Sequence, residues 1–394
     1  MTAREIARKN LGIKPENKII LSFDGGGMRG IFTVQLLKKL EEVAGSPVYE
    51  WADMVAGTST GAIIASLIAF KKSAKDIEDI YEKMVKRVFT KKGLFANRFY
   101  NPPAFDKKNY RNVVKSVFGD NTLKQVTTSS NIDILLTSKD LSAGEETFFT
   151  CFTKDSEVKG TYQDVLIRGV LEATMSAPTY FCSFERFVDG GTTVYNNPVL
   201  AATMEAFFYD GKGKYVPNQT TVFSLGTASL FRFIKPDETH DPKGLDALFW
   251  LNYVMDESSK DASEMQVNFL RSNLLPELDF RRFQLSLDAK AISKLPDKSI
   301  AHIPNLEADW LHELDDEELS KIDMADVTKF PLMKVLGEAV AEYICSPKSD
   351  DNYFKKDLVT KVDKKGALVT ASGDRYSILK NLSDPAWIDQ QPTC

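Results

Sequence analysis

The chain has 394 residues, 43% of them hydrophobic and 27% charged, which is material for one large α/β domain or two to three smaller ones. Its formal net charge of −5 excludes a general attraction to nucleic acid or anionic membranes, so any such contact is local. Four cysteines, Cys151, Cys182, Cys345 and Cys394, stand in no C-x-x-C or metal-ligand spacing and read as free thiols of a reducing, cytoplasmic compartment.

Residues 1–18 are polar and basic and lack the apolar core of a signal peptide. Residues 19–23 are β-branched and aromatic, a buried strand that feeds into Asp24-Gly25-Gly26-Gly27-Met28-Arg29-Gly30. Apolar residues at Ile31, Val34, Leu37, Leu40 and Val43 predict a helix that Gly45 and Pro47 end. A second strand at 52–56 enters Gly57-Thr58-Ser59-Thr60-Gly61, and an apolar helix follows over 62–70, too short to span a bilayer. Strand, turn and helix thus occur twice over, as a parallel α/β sheet requires.

Beyond them, 73–88 predicts an amphipathic helix and 91–110 a loop of lysines and aromatic residues. Strands are expected at 132–137 and 147–152, and a helix at 162–175, broken by Ser176-Ala177-Pro178. A strand at 184–188 runs into Asp189-Gly190-Gly191, and another at 221–225 ends at Gly226-Thr227. After about residue 235 the pattern changes to helices at 245–270 and 330–343, with a solvated helix within 306–326. The expected organisation is an N-terminal extension over 1–17, an α/β part from 18 to about 235, a helical part over 236–346, and a polar extension over 347–394 with one β-like run at 367–370.

The second glycine turn has the form G-x-S-x-G between a strand and a helix. Gly57 and Gly61 allow a tight turn and close helix–strand approach, and Ser59 projects at a helix N-terminus, where free N–H groups stabilise an oxyanion. The alternative is a small-residue turn that only packs a helix on a sheet.

The first glycine turn also satisfies G-x-G-x-x-G, the dinucleotide-binding fingerprint, which would make the chain a nucleotide-binding oxidoreductase. Against that reading, Asp24 would stand beside a pyrophosphate, and no acidic residue ends a second strand at the required distance. The better reading is an oxyanion hole: Gly25, Gly26 and Gly27 expose successive N–H groups, Thr60 follows the nucleophile, and Arg29 adds a positive group. Arg29 reads nearly as well as a structural ion pair.

A serine nucleophile needs a base. The chain has only His240, His302 and His312, none in a turn of active-site composition, and His240 lies in a polar Asp-Glu-Thr-His-Asp segment. Asp189 ends a strand before two glycines, and a carboxylate raised by burial can serve as general base. A Ser59–Asp189 dyad is therefore expected, with a Ser59–Asp189–His240 triad as the competing order.

These elements, in this order, resemble the patatin-like phospholipase family. Residues Asp24 to Gly30 match its glycine-rich motif, Gly57-Thr58-Ser59-Thr60-Gly61 its nucleophile elbow, and Asp189-Gly190-Gly191 its acid motif. The segments 173–181, 197–199 and 224–227 look similar too. The resemblance covers about 18–230 and weakens through 346. It implies a three-layer α/β/α fold with a mainly parallel sheet and C-terminal helices. It further implies a Ser/Asp-dyad lipid acyl hydrolase, acting on phospholipids or related glycerolipids at a membrane surface, with no metal or cofactor in catalysis. Some bacterial relatives wait for a ligand or partner, cyclic nucleotides among them. A ligand- or partner-activated effector on the same chemistry is the alternative.

Lipid contact is sought in 91–110, where Phe95, Phe99 and Phe105 interleave with Lys91, Lys92, Arg98, Lys107 and Lys108. The competing reading is a surface loop whose aromatic residues anchor it in the core. A second candidate, 230–235, reads better as core packing. The acidic stretch 307–318 reads as solvated surface and not as a metal site.

Overall fold

The structure, a computed structural model, describes residues 1–88, 105, 107–150, 162–209, 211–230 and 247–345. Its strands are β1 (Lys18–Phe23), β2 (Met54–Thr58), β3 (Asp133–Asp140), β4 (Glu145–Thr150), β5 (Phe187–Asp189), β6 (Thr220–Leu225), β7 (Ser229–Leu230), β8 (Asp279–Phe283) and β9 (Ser286–Leu287). Its α-helices are α1 (Ala3–Asn10), α2 (Gly30–Ala44), α3 (Thr60–Ala69), α4 (Ala74–Val88), α5 (Lys107–Phe118), α6 (Leu123–Ser130), α7 (Ile167–Thr174), α8 (Val199–Phe208), α9 (Ala247–Leu270), α10 (Ala289–Ile292), α11 (Asp316–Ser320) and α12 (Phe330–Ile344).

The central sheet runs β4-β3-β2-β1-β6-β8, and β5 also pairs with β3. Strands β3, β2, β1, β6 and β8 are parallel, while β4 and β5 lie antiparallel to β3. Burial on both faces explains why β1 reads as an unbroken apolar run. Ile19, Leu21 and Phe23 enter a core with Leu37 of α2, Ile63 of α3, Ile77 of α4 and Leu336 of α12. Ile20, Met54, Ala56, Leu135 and Val222 face Val199 and Ala202 of α8 and Val267 and Leu270 of α9. Alternation along the strands thus builds a three-layer α/β/α fold.

Helix α3 is buried along its whole length, which accounts for its lack of a polar face. Helix α12 is tied to α2 and α4 by a polar cluster. Lys38, Lys75 and Lys334 pair with the buried Glu78, and Gln35 donates to its Oε1 at 2.9 Å. Burial opposes the charge on Glu78, but these hydrogen bonds outweigh it and hold the carboxyl at about 2.

Several expectations change. The part after residue 235 is not only helical, because β8 extends the central sheet beside β6. Its sequence, Asp-Phe-Arg-Arg-Phe, carries two arginines that the fold pairs. Arg281 is held by Asp279 at 2.6 Å and by the Leu11 carbonyl at 2.7 Å, and Arg282 by Asp24. Arg281 thereby fixes α1 to the sheet, so the expected N-terminal extension carries a docked helix with its own Thr2–Glu5 capping box. The expected loop over 91–110 gives way to α5 at Lys107, and the solvated helix within 306–326 is the short α11. Among the described residues, no helix is long and apolar enough to cross a membrane.

Candidate active site

The carboxyl ends of the parallel strands place the motif residues. Strand β1 ends at the first glycine loop, β2 at Ser59, β6 at Gly226 and β8 one residue after Arg282, the edge at which open α/β sheets bind ligands. One register brings Ser59 and Asp189 together. On β3, Thr137 pairs with Thr58 of β2, and the next residue, Ser138, pairs with Asp189 of β5. Strand β5 thus continues where β2 stops, and the residue after Thr58 meets Asp189.

The Ser59 Oγ donates to Asp189 Oδ2 at 2.6 Å. Ser59 has φ 53° and ψ −121°, a left-handed conformation that a non-glycine residue adopts only under strain. Its neighbours require glycine: a Cβ on Gly61 would lie 2.1 Å from the Phe23 carbonyl oxygen, and one on Gly57 would lie 2.3 Å from that of Gly61. The Ser59 N–H donates to Thr174 Oγ1 at 2.8 Å, and Met175 Sδ lies 3.4 Å from the Ser59 Oγ.

Asp189 is 4% exposed. Its Oδ1 accepts the Gly191 N–H at 2.7 Å, which leaves Oδ2 toward the serine. Burial pushes the carboxyl up to about 6, against the pull of the hydrogen bonds from Ser59 and Gly191 and of the Lys107 charge. A carboxylate of that basicity, hydrogen-bonded to a strained serine, can take the serine proton near neutral pH.

The glycine loop divides into two roles. The Gly25 N–H donates to the Asn196 carbonyl at 3.0 Å, so this expected oxyanion donor is already engaged. The Met28 N–H is likewise taken by the Met324 carbonyl at 2.7 Å. Gly26 and Gly27 line the cleft with Ser59, and their N–H groups have no acceptor among the described residues. The Thr60 N–H lies in the first turn of α3, where amides have no intrahelical acceptor. These three can hold an oxyanion beside the Ser59 Oγ. Arg29 lines the same cleft, with its Nε 3.5 Å from the Gly26 carbonyl.

Asp24, which lines the cleft, has its carboxylate engaged. It is buried and forms a two-point pair with Arg282, at 2.8 and 2.5 Å. Burial raises its carboxyl and Arg282 opposes that rise. With Gly25 and Met28 engaged and Asp24 paired, the loop is poorly arranged for a pyrophosphate, which counts against the oxidoreductase reading.

The cleft has a volume of about 210 Å³. Met175, Phe181, Ala228, Leu230 and Met324 form apolar wall, while Ser259, Lys260 and Glu264 of α9 add a polar side. Sequence reasoning missed Thr174, Asn196, Thr227 and Arg282. The Thr227 Oγ donates to the Gly25 carbonyl at 2.8 Å. The expected similarity of 173–181, 197–199 and 224–227 was the signal nearest to three of them; Arg282 had none.

Phe105 is buried, stacks on Tyr180 with ring centres 6.3 Å apart, and donates its N–H to the Tyr180 carbonyl at 3.0 Å. It packs in the core, against the expectation of lipid contact. Phe95 and Phe99 lie outside the described residues, as do His240, most of 230–235 and the extension from 346. His302 and His312 are exposed and do not line the cleft.

A family model described as patatin-like phospholipase matches residues 21–203. The chain is 31% identical over 214 residues to the cGAMP-activated phospholipase of Vibrio cholerae serotype O1, covering 48% of this chain and 57% of that protein. It is 28% identical over 254 residues to the cGAMP-activated phospholipase of Escherichia coli strain TW11681, covering 59% and 67%. It is 30% identical over 227 residues to the 85/88 kDa calcium-independent phospholipase A2 of Rattus norvegicus, covering 53% and 27%. The chain thus spans about half to two thirds of the two bacterial relatives, and much less of the third.

Proposed function

We propose that this chain, whose residues 21–203 belong to the patatin-like phospholipase family, is a lipid acyl hydrolase acting on phospholipids or related glycerolipids at a membrane surface. The observation that carries the reading is the 2.6 Å hydrogen bond from the Ser59 Oγ to the buried Asp189. In the proposed cycle, Asp189 takes the serine proton as Oγ attacks the ester carbonyl. The N–H groups of Gly26, Gly27 and Thr60 hold the oxyanion. Asp189 then gives the proton to the departing alcohol. Water, deprotonated by the same carboxylate, attacks the acyl-serine and releases the fatty acid with Ser59 reprotonated.

Ser59→Ala and Asp189→Asn are each expected to remain folded and to lose hydrolysis by at least about 10³-fold. Incubation with mixed membrane lipids and mass spectrometry of the products checks this, and also identifies the lipid. Appreciable fatty-acid release by either variant overturns the assignment.

A second reading, control by an activating ligand, is favoured by the relatives named as cGAMP-activated and cUMP-AMP-activated phospholipases. The ligand class would be a cyclic dinucleotide. Fatty-acid release by purified protein, with and without cGAMP or cUMP-AMP, tests it. Equal rates in all conditions reject both as activators.

A further inference from the structure

One short segment holds both proposed catalytic groups. Thr174 accepts the Ser59 N–H at 2.8 Å, and the Ser176 carbonyl accepts the Asp189 N–H at 3.1 Å. Lys107, the first residue of α5, donates from Nζ to the Ser176 Oγ, which itself donates to the Glu172 carbonyl at 2.6 Å. The same ammonium lies 3.4 Å from that carbonyl and 5.8 Å from the centre of the Phe184 ring. The carbonyl end of α7 therefore takes a lysine from a different helix, next to the backbone on which Asp189 hangs.

We propose that Lys107 is a positioning residue for the reaction: it fixes Ser176 and, through it, the backbone of Asp189, and it brings a positive charge to bear on the base. The proposal rests on the hydrolase reading. Asp189 is faced by Ser59, the Gly191 amide and the charge of Lys107, and the buried Tyr110 of α5 also feels its field. Lys107 is faced by Glu172 of α7, by Cys182 and by Arg111 of its own helix. Burial lowers the Lys107 ammonium to about 8, with Glu172, Cys182 and Asp189 holding it up and Arg111 adding to the fall. Lys107 therefore remains largely charged at neutral pH.

A lysine at a helix C-terminus ordinarily acts as a cap, and removing a cap changes stability alone. The test uses the full chain with Lys107→Met, Lys107→Gln and Lys107→Arg. Gln keeps a donor for Ser176 without the charge, and Arg keeps the charge. Three quantities are read: the pH profile of kcat/KM on a soluble short-chain ester, the Asp189 carboxyl titration by ¹³C NMR assigned with Asp189→Asn, and thermal melting. In Met and Gln, the acid limb and the NMR titration are expected to move up together by roughly half to one pH unit, a loss of about 3- to 10-fold in rate below pH 6. Arg is expected to return both toward wild type. An unmoved limb and titration in folded Met and Gln variants overturn the proposal, whatever the melting shows. A moved NMR titration in a protein whose wild type hydrolyses no ester supports the electrostatic hold on Asp189 and sinks the hydrolase reading instead.

Discussion

Asp189 sits where a carboxylate is uncomfortable, and both its proposed use and its cost follow from that. Its carboxyl is raised to about 6 by burial, so kcat/KM should fall with a slope of one proton as pH drops through about 6. The sign for stability is the opposite. A carboxyl with a raised folded pKa binds more protons in the folded state, so stability falls as pH rises from about 4 to about 6. Asp189→Asn removes that burden. It is expected to melt above wild type at pH 8 by the equivalent of about 1–3 kcal/mol, and level with it at pH 4. Calorimetry at the two pH values checks both halves. At this scale Ser59 and Asp189 were legible, because glycine-framed turns after strands leave a compositional trace. The engagement of Gly25 was not, since its acceptor is the Asn196 carbonyl, 171 residues away in the chain. Lys107 was visible only as one of several lysines in a basic stretch. Its direction, toward Ser176 and not toward solvent, is a tertiary fact.

Elements make the site through end-to-end geometry. The meeting of Ser59 and Asp189 needs β5 to pair with β3 just past the end of β2, a register of only three residues. It also needs α3 to start against β1, and Gly61 controls that approach. Gly61→Ala places a methyl group 2.1 Å from a backbone oxygen that cannot turn away. The variant is expected to lose about 2–3 kcal/mol in urea unfolding and at least about 10²-fold in kcat, because the elbow shifts. Gly169→Ala in α7 is the matched control. Its added Cβ meets nothing nearer than Phe184 at 3.9 Å, so stability is expected to hold or rise slightly. The elements flanking the motifs could be read from their apolar residues, since β1 and α3 are buried on every side and α2 and α4 are apolar on the faces they bury. Strand β8 could not: its two arginines hide a strand whose charges meet Asp279 and Asp24.

Across the whole molecule, the pair of Arg282 and Asp24 closes the site from behind, joining β8 to the loop after β1 over 258 residues of chain. Both side chains are buried, and Arg282 also donates to the Ser224 Oγ at 2.8 Å. Removing one partner strands a charge in the core. Arg282→Met is expected to cost about 3–5 kcal/mol at pH 8 and less at pH 5, where Asp24, already raised by burial, takes up a proton. Denaturant unfolding at the two pH values measures the difference, and an equal loss at both would contradict the pairing argument. The second half of the chain carries the expected helices α9 and α12 and, in addition, supplies an edge strand, the polar side of the cleft and the Met324 carbonyl beneath the glycine loop.

The amino-acid sequence by itself determined the parallel α/β character, the serine elbow and the acid at the end of a strand. Each is set by local rules: burial on both faces makes strands apolar, and tight turns demand glycine. Tertiary structure alone decided which amides stay open, which charges are paired and what holds the base. Those properties depend on partners far away in the chain, where no local pattern constrains the choice of residue until folding brings the two together.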